Sequence, residues 1–225
     1  MKRYNNIYTK ICDDNNIRLA IHKASRGKKK RKVVQKILAN EDYYVEQIKS
    51  MLVNKTHIPS EYIEMTIFDG SNKKERKIYK PKFYPDQIIH WCIMLQIEPL
   101  LTKRFYYYSC ASIKGRGILR GAKYIKRILV NDKKHTKYCL KLDIKKFYPS
   151  IDKEILKNKL RKLFKDKDLI YILDLIVDSH DKGVPIGNYT SQWFANLFLT
   201  DLDYYIKEEL KVKHYIRYMD DIVIF

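Results

Sequence analysis

Three groups of residues in this 225-residue chain have the types and spacing to do chemistry. The first is Asp143, in Leu142-Asp143-Ile144-Lys145-Lys146-Phe147-Tyr148-Pro149-Ser150-Ile151-Asp152. An acid at a strand end is a good place for a metal ligand, although such an acid taken alone is more often only solvated. The second is Tyr218-Met219-Asp220-Asp221, flanked by Tyr215-Ile216 and by Ile222-Val223-Ile224-Phe225. Two apolar strands around a two-residue acidic tip predict a tight hairpin. Adjacent carboxylates repel each other, and holding them at a rigid tip is costly unless a cation is present. A hard divalent ion with carboxylate ligands meets that need. The third is Gly183-Val184-Pro185-Ile186-Gly187-Asn188-Tyr189-Thr190-Ser191-Gln192-Trp193-Phe194-Ala195-Asn196. Its glycines and proline make a tight loop before a helix, so the backbone there can come close to a ligand. Alone it reads as a plain loop-to-helix junction.

The elements that must position these groups are legible in the hydrophobic periods. Leu140, Leu142 and Ile144 alternate with Cys139, Lys141 and Asp143, which predicts a half-buried strand with Asp143 opposite the leucines. Ser150 is the expected N-cap of a helix carrying Ile155, Leu156, Leu160 and Leu163. The helix after the glycine loop is expected to bury Phe194, Leu197, Phe198, Leu202 and Tyr205. Upstream, helical spacing runs from Val33 to Val53, and Pro59 closes that stretch. A hairpin is expected from Tyr62 to Tyr79: Tyr62–Phe68 outward, Asp69-Gly70-Ser71-Asn72 as the turn, and Arg76–Tyr79 back. An amphipathic helix follows from Asp86 to Leu101, then a loop with Gly115 and Gly117, then a helix through Ile128 and Leu129. No internal repeat or low-complexity linker interrupts the chain.

Composition narrows the partners. Lys and Arg number 46 against 26 acids, a formal charge of +20 that attracts polyanions. Nineteen tyrosines interleave with that charge and suit stacking on unpaired bases, although strand and core packing account for most of them. The run Lys28-Lys29-Lys30-Arg31-Lys32 is either a phosphate contact or a solvated helix end. No apolar run approaches the ~20 residues of a spanning helix, and the N-terminus has no secretory pattern. Cys12, Cys92, Cys110 and Cys139 are scattered, so reduced, mostly buried thiols in a cytoplasmic protein without structural zinc are expected.

Acid on a strand, glycine loop with helix, then Tyr-x-Asp-Asp hairpin: this order and spacing resemble the polymerase motifs lettered A, B and C of reverse transcriptases. Lys74-Glu75-Arg76-Lys77-Ile78 resembles the fingers segment that contacts the incoming triphosphate. The stretches from Phe83 to His90 and from Tyr108 to Gly117 are similar to reverse transcriptases of bacterial diversity-generating retroelements and their relatives. Ile186 stands where most of the family has Gln, and Ser191-Gln192 where it has Ser-Pro, which again resembles the diversity-generating group. Retron and group II intron enzymes, or a catalytically incomplete nucleic-acid-binding fragment, are the alternatives.

The resemblance implies an α+β, right-hand polymerase fold with a small antiparallel palm sheet. Residues 1–137 would form an N-terminal extension and fingers, and 138–225 a palm, with 152–183 returning to the fingers. More palm and a thumb would follow Phe225 in the family, so the resemblance implies that the thumb is absent. It implies RNA-templated DNA synthesis on a primer, with template RNA, deoxynucleoside triphosphates and a basic accessory protein as partners. Asp143, Asp220 and Asp221, with the Ile144 carbonyl, would hold two Mg²⁺ ions, which Mn²⁺ can replace. Lys74 and Arg76 would clamp the triphosphate, the Arg fork suiting phosphate better. Ile186, Gly187 and Gln192 would line the nucleotide. Lys114, Arg116, Tyr218 and Met219 would touch nucleic acid. Tyr148 matches the ring that excludes a ribose 2′-hydroxyl, with core packing as its other reading. Ile186 would make the enzyme error-prone, or would only pack under its loop.

Overall fold

The computed structural model describes residues 3–69 and 74–225, the side chains of Asp69 and Lys74 excepted. Its elements in chain order are α1 Tyr8–Ile11, α2 Asp14–Ser25, α3 Lys32–Ala39, α4 Glu41–Val53, β1 Ile63–Asp69, β2 Lys74–Lys80, α5 Ile88–Thr102 and α6 Ile118–Asn131. There follow β3 Leu140–Leu142, α7 Phe147–Ser150, α8 Lys153–Leu163, α9 Lys167–Asp178, α10 Tyr189–Phe198, α11 Thr200–Tyr204, β4 Tyr215–Tyr218 and β5 Asp221–Ile224. Helices and two small antiparallel sheets make an α+β chain.

The main core is helical, and α5 runs through its middle. Ile88, Ile89, Cys92, Ile93, Met94, Ile97 and Leu101 are all buried, so α5 is enclosed on most sides rather than amphipathic as the period suggested. A helix apolar nearly all round has no solvated face to present. α2 packs along it, and Asn16 ties the two together by donating to the carbonyl of Cys92. The chain returns to this core after α7. Asp166 accepts from the backbone N–H of Ile7 and Tyr8 at 2.7 and 2.9 Å, and Tyr4 pairs with Phe164. The stretch from Val33 to Val53 is two helices, because Asn40 leaves helical geometry (φ −129°, ψ 45°).

β1 and β2 pair in register from Ile63↔Lys80 to Asp69↔Lys74. The expected turn beyond Asp69 lies outside the described residues. The second sheet has strand order β3-β5-β4. Leu140 and Leu142 on β3 are 53% and 43% exposed, so the expected half-buried leucine face is not buried. β3 is an edge strand, and its partner in the sheet is β5. Two further expectations shift. Asp152, not Ser150, caps α8 by accepting from Ile155 N–H at 2.9 Å, while the Ser150 hydroxyl donates to the Phe147 carbonyl inside α7. Tyr205 is exposed because the chain bends at Leu199 and leaves α10's buried line. Three of the four cysteines are buried; Cys139 is exposed. Among the described residues no helix is long and apolar enough to cross a membrane.

Candidate functional site

The site is built at one end of the three-stranded sheet. Pairing of Leu142 with Ile222 and of Tyr218 with Asp221 fixes the register. Tyr218 and Asp221 are paired and share a face of the sheet, and the register of β3 continued one residue past Leu142 would set Asp143 on that face too. The two-residue turn of the β4–β5 hairpin is Met219-Asp220; Asp221 already belongs to β5, one residue from where the acidic pair alone would put the tip. Met219 has φ +58°. A positive φ at the first of two hairpin residues is the type II′ pattern, which favours glycine and strains a methionine.

A buried network props that strained turn. Arg217 is fully buried and makes a two-pronged bond to Asp203 of α11, at 2.7 Å from Nε and 2.6 Å from Nη2. Its Nη1 donates to the Met219 carbonyl at 2.8 Å and to Asn196 Oδ1 at 3.1 Å. The Tyr215 hydroxyl donates to Asp203 at 2.6 Å. Burial alone would lower the Arg217 pKa, but the bonds to Asp203 hold it above its ordinary value. The sequence reading missed this group. Its signal was a charge inside an apolar strand, which needs a partner when buried.

Asp220 senses the other two acids. Asp220 is pushed above the usual carboxylate range, first by burial and then by Asp143 and Asp221, while Arg76 pulls it back. Arg76, exposed on β2, therefore reaches the same field as the three acids. Tyr148 is half-buried with its hydroxyl pushed up to about 12, by burial first and then by Asp220. Ile144 follows Asp143 directly and is also half-buried. Three carboxylates in one field are a hard oxygen donor set and fit a divalent cation by chemistry. Among the described residues, however, no three His, Cys, Asp or Glu side chains stand close enough together to hold an ion as they are.

Backbone contacts stitch the glycine loop to the other groups. Val184 N–H donates to the Tyr148 carbonyl at 3.1 Å, and Tyr79 N–H donates to the Ile186 carbonyl at 2.7 Å. Gly187 has φ +132°, and a Cβ there would stand 2.4 Å from the Tyr79 carbonyl oxygen. Only glycine permits that approach of loop to β2. Asn188 donates to the Tyr62 hydroxyl at 2.7 Å, fastening the same loop to the start of the hairpin. Gln192 is exposed and lines a cavity of about 530 Å³ with Lys23, Lys28, Lys80, Trp91 and Tyr189.

The remaining expected residues differ in exposure and in what holds them. Lys74 opens β2, with its side chain outside the description. Lys114 is exposed in its loop. Arg116 donates to the carbonyls of Tyr106 and Ser109, so its guanidinium is occupied in holding its own loop. Tyr218 is 45% exposed and Met219 is buried. From the cationic run, Lys28 donates to Gln87 at 2.6 Å.

A family model described as "Reverse transcriptase (RNA-dependent DNA polymerase)" matches residues 71–225. The chain is 32% identical over 169 residues to the Retron Se72 reverse transcriptase of Salmonella heidelberg, covering 72% of this chain and 41% of that protein. It is 29% identical over 162 residues to the Retron Ec73 reverse transcriptase of Escherichia coli, covering 66% and 48%. The chain thus spans under half the length of both. A structure of telomerase from Candida albicans with a fragment of telomeric RNA aligns over 80% of this chain and 42% of its own, at TM-score 0.49 and 12% identity, too slight a likeness to carry weight.

Proposed function

Because the chain belongs to the reverse transcriptase (RNA-dependent DNA polymerase) family, we propose that it extends a primer 3′ end with deoxynucleotides on an RNA template. The observation that carries this reading is the common field of Asp143, Asp220 and Asp221, reached also by Arg76 and Tyr148. The three acids would hold two divalent ions, Mg²⁺ with Mn²⁺ able to replace it, the Ile144 carbonyl adding a ligand. When bound, such ions activate the attacking hydroxyl and neutralise charge on the leaving pyrophosphate. The chain's own part is positioning and charge, because phosphoryl transfer involves little covalent work by the protein.

Arg76 and Lys74 on β2 would meet the triphosphate from one side. Gly187 lets the loop and β2 lie close enough to form one wall of the nucleotide site, with Ile186 and Gln192 along it. Tyr148, set beside Asp220, would stand against the sugar. Template RNA, primer and deoxynucleoside triphosphates are the proposed partners, with a basic accessory protein beside them. The scattered, unpaired cysteines are in keeping with work in the cytoplasm.

Ile186 and Gln192 favour an error-prone enzyme of the diversity-generating kind. The two retron relatives favour a retron-type enzyme as the second reading. Primer extension by the purified protein tests the common core of both. It should require Mg²⁺ or Mn²⁺, and Asp220→Asn should slow it at least about a thousand-fold, or ~4 kcal/mol in barrier, without changing the circular dichroism spectrum. Extension that survives this change would sink the assignment.

A further inference from the structure

From Pro99 to Asn131 the chain carries eight lysines and arginines and no aspartate or glutamate. α6 gathers part of that charge on one flank. It turns Gly121, Tyr124 and Ile128 toward β4, and a Cβ on Gly121 would come within 2.8 Å of the Ile216 side chain. Arg120, Lys123 and Arg127 recur at i, i+3 and i+7 beside this buried stripe. Together with Tyr107, Tyr108 and Tyr124 they line a cavity of about 240 Å³. The cations there are aimed by rings: the Arg120 guanidinium lies 4.0 Å over Tyr107, and Arg127 donates to the Tyr108 hydroxyl at 2.9 Å. Tyr108 and Tyr124 stack with centroids 3.7 Å apart. None of the six lining residues is acidic, and Tyr107 is 60% exposed.

We propose that this pocket is a second nucleic-acid contact, apart from the polymerase site, that holds an unpaired stretch of the template RNA. It rests on the reading of the chain as a polymerase on RNA. Three cations spread along about 10 Å of helix can follow a strand past more than one phosphate, and neutralising those phosphates releases counterion. The exposed Tyr107 ring, backed by the stacked Tyr108 and Tyr124, adds base stacking, which every unpaired base can use. An acidic peptide would meet the cations but would leave the aromatic platform unused. The pocket sits at the edge of the sheet away from β3. The Tyr107-Tyr108 loop pairs along β4 through Ser109↔Arg217, on the edge of the sheet opposite β3, whereas Asp143 follows β3. The strand that presents unpaired bases is the template before it is copied, since the primer's reacting end is paired to it.

The test is binding of an unstructured RNA oligomer, without primer, by fluorescence anisotropy across a salt series. Arg120→Ala with Arg127→Ala should weaken binding about ten-fold or more and reduce the log–log salt slope by about 1.4, two contacts at ~0.7 each. Tyr107→Ala should weaken binding with the slope unchanged, which supplies a readout if the double variant is poorly folded. Extension of a short primer–template at saturation should keep its rate in both variants. An unchanged slope and affinity would overturn the contact. Loss of the saturated extension rate would place these residues in the polymerase site and overturn the separation. Binding of a DNA oligomer of the same sequence should be weakened to a similar degree, since phosphate contacts and stacking do not read the sugar, whereas weakening confined to a fully paired duplex would overturn the unpaired stretch. Asp220→Asn, which tests the polymerase reading, should leave this binding and its slope unchanged.

Discussion

Tyr148 and Ile186 carry single-residue consequences that differ in kind. The Tyr148 ring packs edge-on against Phe147, centroids 5.6 Å apart, and its hydroxyl lies in the field of Asp220. A ring held on one side by a buried phenylalanine can act as a fixed wall, and excluding one hydroxyl needs only a wall. Tyr148→Ala should therefore raise ribonucleotide incorporation more than it lowers deoxynucleotide incorporation, measured as the ratio of the two kcat/KM values. Unchanged selectivity would make the ring a packing residue only. Ile186 brings shape and dispersion where an amide would bring hydrogen bonds. Apolar walls discriminate by about 1–3 kcal/mol, whereas an unpaired polar group penalises a mismatch more heavily. Sequencing of cDNA should show fewer errors from Ile186→Gln; equal error rates would remove Ile186 from fidelity.

The hairpin of β4 and β5 is the element on which the site hangs, and its turn is held from beneath. Met219 pays a backbone strain that glycine would not, and the Arg217 bond to its carbonyl opposes relaxation of the turn. Removing Arg217 alone would leave Asp203 buried and unpaired, at a cost of about 3–5 kcal/mol. Replacing the whole network by apolar residues of similar volume is a different experiment, because no charge is then orphaned. Arg217→Met with Asp203→Leu and Tyr215→Phe should hold the melting temperature within a few degrees while lowering kcat for primer extension at least about ten-fold. If extension is retained, the network serves stability alone. Tyr79 and Gly187 do for β2 what Arg217 does for the turn: a single backbone bond and a missing Cβ hold the hairpin arm that carries Arg76 against the loop.

For the whole molecule, mild acid between pH 7 and 5 should be destabilising, and the cause lies in buried histidines of the helical core. His90 is buried on α5 with its pKa lowered to about 3, by burial first and then by His57. His57 is lowered as well, by burial, with Asp86 opposing. A histidine whose folded pKa lies below its unfolded value of ~6.5 leaves the unfolded chain with more bound protons between those limits. Its contribution is full above pH ~6.5 and is lost as pH falls toward 3. From pH 7 to 5 the loss from His90 should be about 2 kcal/mol. Urea denaturation at the two pH values should show it, and His90→Gln should remove most of the drop. A drop of the same size in the variant would clear His90 of the effect.

What the amino-acid order determined was the local chemistry: the three acids, the glycine loop, the apolar strands around Tyr218-Met219-Asp220-Asp221 and the hairpin arms. Each depends on residue type and on periods of two or 3.6, which a chain carries without reference to its folded neighbours. The tertiary structure decided the rest. Leu140 and Leu142 alternate like buried residues, yet they lie on an edge strand, and burial depends on what packs there. Asp152 rather than Ser150 caps α8 because two acceptable caps stand two residues apart, and the path of the chain into the helix chose between them. The partnership of Arg217 with Asp203 crosses from a strand to a helix, and its value comes from burial that desolvates both charges at once. Arg76 reaches Asp220 across 144 residues of sequence through tertiary packing, in which Gly187 leaves room for β2 to lie against the loop. Spacing along a chain names the groups that can act; which of them share a field is fixed by packing between elements far apart in the sequence.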